Sequence, residues 1–68
     1  DTVMKIGDLV TMPGAADQSI GVVVSVTPPK GKPQWWYRGR RVAILWCDGY
    51  GEIDWEPSTW LEVVSESR

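Results

Sequence analysis

Glycine and proline interrupt this chain too often for a helix of useful length to form. Seven Gly and five Pro are spread over 68 residues. Between them, no stretch keeps apolar residues at the three-and-four spacing that gives a helix a buried face. The intervals are short, rich in β-branched residues and partly alternating, which confines the chain to strands.

Residues 7–12 (GDLVTM) read as a first short strand entered through a Gly-Asp turn, and residues 13–19 (PGAADQS) as a loop of small and turn-forming residues. Residues 20–27 (IGVVVSVT) form a β-branched run with Ile20, Val22, Val24 and Val26 on one face, stopped by Pro28 and Pro29, which cannot donate to a ladder. After the loop PPKGKP the chain resumes as a strand by residues 41–47 (RVAILWC), and that strand can begin as early as Trp35. Asp48-Gly49-Tyr50-Gly51 is a hairpin signal, because Gly accepts the positive φ such turns require. Residues 52–56 (EIDWE) alternate strictly, which predicts Ile53 and Trp55 inward with Glu52, Asp54 and Glu56 outward. Residues 57–60 (PSTW) suit one helical turn, residues 61–64 a last strand, and 1–5 and 65–68 fraying ends.

A chain this short is one domain, 1–68, that buries only about 60% of its unfolded surface, so its core needs large side chains or a partner. Five Trp and two Tyr supply them. With no His and the single Cys47, a zinc site, a His-based relay or an internal disulfide has nothing to build on. No cofactor is implied, and the expectation is a protein that is not an enzyme. No apolar run approaches the ~20 residues of a membrane helix, and the start lacks a basic-then-apolar leader. The domain therefore reads as soluble and made in a reducing compartment. Met4 opens what looks like a natural start, so Asp1-Thr2-Val3 fits an added remnant and a processed end equally.

Five short strands, a long loop after the second, a tight hairpin and one helical turn before the last strand resemble a small SH3-like barrel. The resemblance rests on KIGDLV, GVVVSV, VAILWCDGYGEIDW and EPSTWLEVV, and covers nearly the whole chain. Residues 4–10, 46–49 and 57–63 are also similar to small proteins of tailed bacteriophages, which have a Met-Lys-(Ile/Val)-Gly-Asp-(Leu/Val)-Val opening, a Trp-x-(Asp/Asn)-Gly hairpin and a Pro-Ser-x-x-Leu-Glu-Val closure. Members of that group are mostly uncharacterised or associated with the virion. The resemblance thus implies a structural role in a virion or in the host cytoplasm, while the double Trp and RGRR depart from the group's pattern.

Lys30, Lys32, Arg38, Arg40 and Arg41 lie within twelve residues, whereas Asp48, Glu52, Asp54, Glu56, Glu62 and Glu66 crowd the last third. Trp35, Trp36, Tyr37, Arg38, Arg40 and Arg41 are the candidate partner-binding residues, since Trp, Tyr and Arg dominate interface hot spots. The same ingredients serve nucleic acid, with cations on phosphates and rings under bases, so that reading stands as the alternative. Strand alternation would put at most two of the three rings on one side, leaving one to the core. Residues 42–47 are apolar on both faces, so something must cover the second face: the 28–39 loop, another copy, or a protein partner. Calcium or acid–base chemistry at Asp48, Glu52, Asp54 and Glu56 is the weaker reading, because alternation already accounts for three of the four as solvated residues. A patch docking a basic partner, such as the basic arm of a neighbouring copy, fits them better. Cys47 reads as packing. An oligomeric reductase with its site at a symmetry axis has no motif in the chain to support it.

Overall fold

A computed structural model of the chain describes residues 4–14, 19–47 and 50–65. The fold is all-β. Strands β1 (Leu9–Thr11), β2 (Ile20–Ser25), β3 (Arg41–Trp46), β4 (Ile53–Pro57) and β5 (Glu62–Ser65) are joined by connections that include two short 3-10 turns, Gln34–Tyr37 and Ser58–Trp60. They form one antiparallel sheet in the order β4-β3-β2-β1-β5, with β4 and β5 at its edges.

Local chemistry sets where the strands stop. Gly7 sits at φ 96° and the Asp8 N–H donates to the Lys5 carbonyl at 3.0 Å, so the Gly-Asp pair is turn, and the first strand is three residues long rather than six. The Asp8 side chain is fully buried, and its Oδ2 accepts the Lys5 N–H at 2.9 Å. β2 ends at Ser25, two residues before the expected limit, because the Ser25 hydroxyl accepts the Thr27 N–H at 3.3 Å and closes a local turn that competes with the ladder. The β3–β4 hairpin is closed by the Trp46 N–H donating to the Glu52 carbonyl at 3.3 Å, with Gly51 at φ 71°. Asp48 and Gly49 of the predicted turn lie outside the described residues. At the expected fraying margins, Ser65 is paired with Leu9, and Lys5 is tied to Asp8.

Val10, Val23, Val42 and Ile44 form the core on the inner face, with Met4, Trp46, Leu61 and Val63 packed around them. Paired residues share a face, and the register Val10↔Gly21↔Trp46 with Val23↔Ile44 places Gly21 under the Trp46 ring. A Cβ on Gly21 would lie 2.9 Å from Trp46 Cε3, so the missing side chain is what lets that ring pack.

The alternation of β4 is real, but its assignment to faces is reversed. Ile53 and Trp55 pair with Leu45 and Ala43 on the outer face, whereas Asp54 and Glu56 pair with Ile44 and Val42 on the inner one. Alternation fixes which residues share a side, not which side is core. With β3 apolar on both faces, the inner space beside Ile44 and Val42 is filled from β1 and β2, and Trp55 instead meets Trp36 outside.

Candidate partner-binding turn

The segment predicted to resume as strand from Trp35 is a 3-10 turn. Pro33, at φ −60°, enters it; the Trp36 N–H donates to the Pro33 carbonyl at 2.9 Å and the Arg38 N–H to the Trp35 carbonyl at 3.3 Å. Three residues per turn send Trp35, Trp36 and Tyr37 in three directions rather than onto two faces.

Trp36 points back onto the outer face of the sheet. Its ring lies 5.6 Å from that of Trp55 and meets Tyr37 edge-on at 5.3 Å. The Arg41 guanidinium stands 5.4 Å from the same ring centroid and the Lys32 ammonium 5.7 Å. Arg41 is itself a brace: Nε donates to the Trp36 carbonyl at 2.7 Å and Nη1 to the Trp55 carbonyl at 3.2 Å, tying the turn to β4. The Tyr37 hydroxyl donates to the Pro29 carbonyl at 2.7 Å and accepts the Lys32 N–H at 3.2 Å, so it closes the loop against its own turn. Of the six sequence-predicted residues, Trp36, Tyr37 and Arg41 are therefore committed to holding the turn.

The other three face solvent. Trp35 is 60% exposed, and Arg38 and Arg40 are exposed on the following bend. That bend is built from Gly39 at φ 82° and Arg40 at φ 53°, a left-handed conformation that costs a residue with a Cβ about 1–2 kcal/mol. Ser58 holds it from the second 3-10 turn, its N–H and hydroxyl both donating to the Gly39 carbonyl at 2.9 and 2.8 Å. Between these pieces runs an open groove of ≈ 840 Å³ whose walls include Pro28, Trp36, Tyr37, Arg40, Val42 and Thr59.

The acidic residues are arranged differently from the expectation. Glu56, on the inner side of β4, has its carboxyl pushed above the ordinary range by burial and by the neighbouring Asp54 charge, against a lowering pull from Arg41. Among the described residues no group of three or more metal-ligating side chains converges. Cys47 is exposed rather than packed, because the strand ends at Trp46 and the chain turns away; its N–H donates to the Ile20 carbonyl at 2.8 Å.

Sequence reasoning missed Trp55, Gly39 and Ser58 as parts of this site. The pairing of Trp55 with Trp36 joins residues nineteen apart in sequence, and only the register of β4 could have revealed it. The Gly-Arg-Arg run did carry a readable signal for the bend, since Gly before a strand marks a turn. Comparison of the chain with family models, with curated proteins and with solved structures returns no match.

Proposed function

We propose that the chain is a non-enzymatic adaptor module that attaches to a larger protein assembly through Trp35, Arg38 and Arg40, with the 840 Å³ groove that Arg40 lines receiving the partner. The observation that carries this reading is an exposed Trp on a braced turn. Trp35 keeps 60% of its surface in water while its neighbours Trp36, Tyr37 and Arg41 hold the backbone beneath it in place. A ring presented without loss of backbone freedom on binding keeps more of its ~2 kcal/mol or greater anchoring energy. Exposed Arg38 and Arg40 would orient the partner and speed encounter.

The sheet itself we read as an SH3-like barrel left open between β4 and β5. Supporting this are the five antiparallel strands, β1 paired to both β2 and β5, and the 3-10 turn just before the last strand. The assembly is proposed to be a bacteriophage virion, as a capsid or tail accessory, on the resemblance of residues 4–10, 46–49 and 57–63 to small tailed-phage proteins.

Nucleic acid is the second reading, favoured by exposed Trp35 beside exposed Arg38 and Arg40. The geometry weighs against it. A stacking platform needs several free ring faces, and two of the three rings here are engaged within the chain. Comparing wild type with Trp35→Ala/Arg40→Ala separates the readings. Retention of a specific polypeptide from nuclease-treated lysate of producing cells, lost in the variant, supports the adaptor. Retention of a fluorescent oligothymidine that falls steeply between low and physiological salt transfers the case to nucleic acid.

A further inference from the structure

Among the described residues, Arg40 is the only one other than glycine with a positive φ, at 53°. Backbone strain of this kind persists where the surroundings impose it, and here both neighbours do. Before it, the Gly39 carbonyl is fixed by the Ser58 N–H and hydroxyl at 2.9 and 2.8 Å. After it, the Arg41 side chain donates to the Trp36 and Trp55 carbonyls at 2.7 and 3.2 Å. The Arg40 guanidinium itself is exposed and makes no hydrogen bond or ion pair among the described residues. Arg41 differs, since its guanidinium is spent on the brace and its charge pulls on the Glu56 carboxyl. A strained backbone thus holds a cation that the fold does not use.

Arg40 lines the ≈ 840 Å³ groove, and the charges of that groove are of one sign. Its walls are apolar at Val26, Pro28 and Val42, carry Arg40 and Arg41, and include no carboxylate among the described residues. The whole chain has a formal charge of −2, so the positive groove is a local arrangement and not a reflection of composition. Thr59 lines it too, and its hydroxyl makes no hydrogen bond among the described residues. That hydroxyl lies 3.6 Å from where a Cβ on Gly39 would stand, one residue before Arg40. We infer that the occupant of the groove is an acidic segment of a partner polypeptide, with an Asp or Glu carboxylate on Arg40 and an adjacent apolar side chain against Val26 and Val42. The inference takes from the adaptor reading only that a partner enters this groove. Charge complementarity selects the carboxylate, and the paired N–H donors of a guanidinium match its two oxygens as an ammonium does not. The volume falls within the ~300–1,000 Å³ of sites that enclose a short ligand, which suits a peptide segment and not a folded face. A nucleic-acid backbone would run successive phosphates along several cations, whereas this groove sets one uncommitted cation among apolar walls.

The test is an NMR titration of the full, isotope-labelled chain with short glycine-serine peptides that carry one aspartate or glutamate beside one leucine or phenylalanine. The Arg40 Nε–H and the amides of Thr59 and Val42 should shift, with a dissociation constant below ~1 mM. Replacing the acidic residue of the peptide by its amide, or the apolar one by serine, should each weaken binding at least tenfold. Arg40→Lys keeps the charge but not the paired donors and should weaken it roughly fivefold or more. Lys30→Gln removes a charge at an exposed lysine outside the groove walls and should change it less than about twofold. Peptides that leave these signals unmoved overturn the inference, as do acidic and amide peptides that bind alike or an Arg40→Lys chain with wild-type affinity. So does oligothymidine that shifts the same signals at lower concentration than the acidic peptides. The adaptor reading is scored apart from this, by retention from nuclease-treated lysate. A polypeptide that is retained but not displaced by saturating acidic peptide keeps the adaptor and overturns the inference. Acid-selective peptide binding with no polypeptide retained keeps the groove's specificity and counts against the adaptor.

Discussion

Arg40→Gly is predicted to make the protein more stable and less able to bind. Arg40 holds φ 53°, where a Cβ crowds the backbone at a cost of roughly 1–2 kcal/mol. Glycine removes that cost but adds about 0.5–1 kcal/mol of lost unfolded-state freedom, leaving a net gain of ~0.5–1 kcal/mol. For a domain of this size that is a rise of roughly 2–8 °C in melting temperature. Arg40→Ala keeps the φ problem and removes only the guanidinium, so its melting temperature should stay near wild type. Both variants should lose partner retention together, since the charge is what they share. The assay is a circular-dichroism melt with a urea titration for each variant, set beside the retention measurement. Arg40→Gly melting below wild type would mean that contacts of the side chain within the fold offset its conformational cost, and the reading of Arg40 as a strained residue would fail.

Trp55→Ala removes the support under Trp36 and uncovers Ala43; because Trp55 is half-buried rather than core, the predicted loss is ~2 kcal/mol, below the 3–5 kcal/mol of a fully buried Trp, read from the urea midpoint. Gly21→Ala should destabilise by about 1–3 kcal/mol, since Trp46 and the fully buried Ile44 leave no room for a Cβ; an unchanged midpoint would refute the packing of Trp46 over this position. Glu56→Gln should raise stability at neutral pH. A carboxyl held above its ordinary value of 4.5 favours folding when protonated and opposes it once ionised, so wild type should lose stability relative to the variant as pH rises through and above 4.5, and the two should converge in acid. Melts of both proteins across that range check the sign.

The succession of strands along the chain was readable because Gly, Pro and β-branched runs act locally. Pro28 and Pro29, the alternation of residues 52–56 and the Gly51 turn each announce themselves within a few residues. The facing of β4 was not readable, because β3 is apolar on both sides and nothing local says which side its neighbours fill. The aromatic run misled for a related reason. Adjacent Trp-Trp-Tyr looks like strand by composition, but Pro33 sets φ for a 3-10 turn, and the contact of Trp36 with Trp55 exists only once the sheet has formed. Arg41 shows the limit most plainly. Its charge was visible, but its use as a brace depends on the Trp55 carbonyl, fourteen residues away.

The most direct test of Trp35 as a protein-binding anchor is site-specific photocrosslinking, with a benzophenone side chain placed at position 35 and, as an exposed control, at Tyr50, which is 82% exposed. Irradiation in producing cells should give one discrete polypeptide adduct from position 35, insensitive to nuclease, absent from position 50 and lost when Arg40→Ala is added. Equal labelling from both positions, or adducts from position 35 that nuclease removes, would contradict the account.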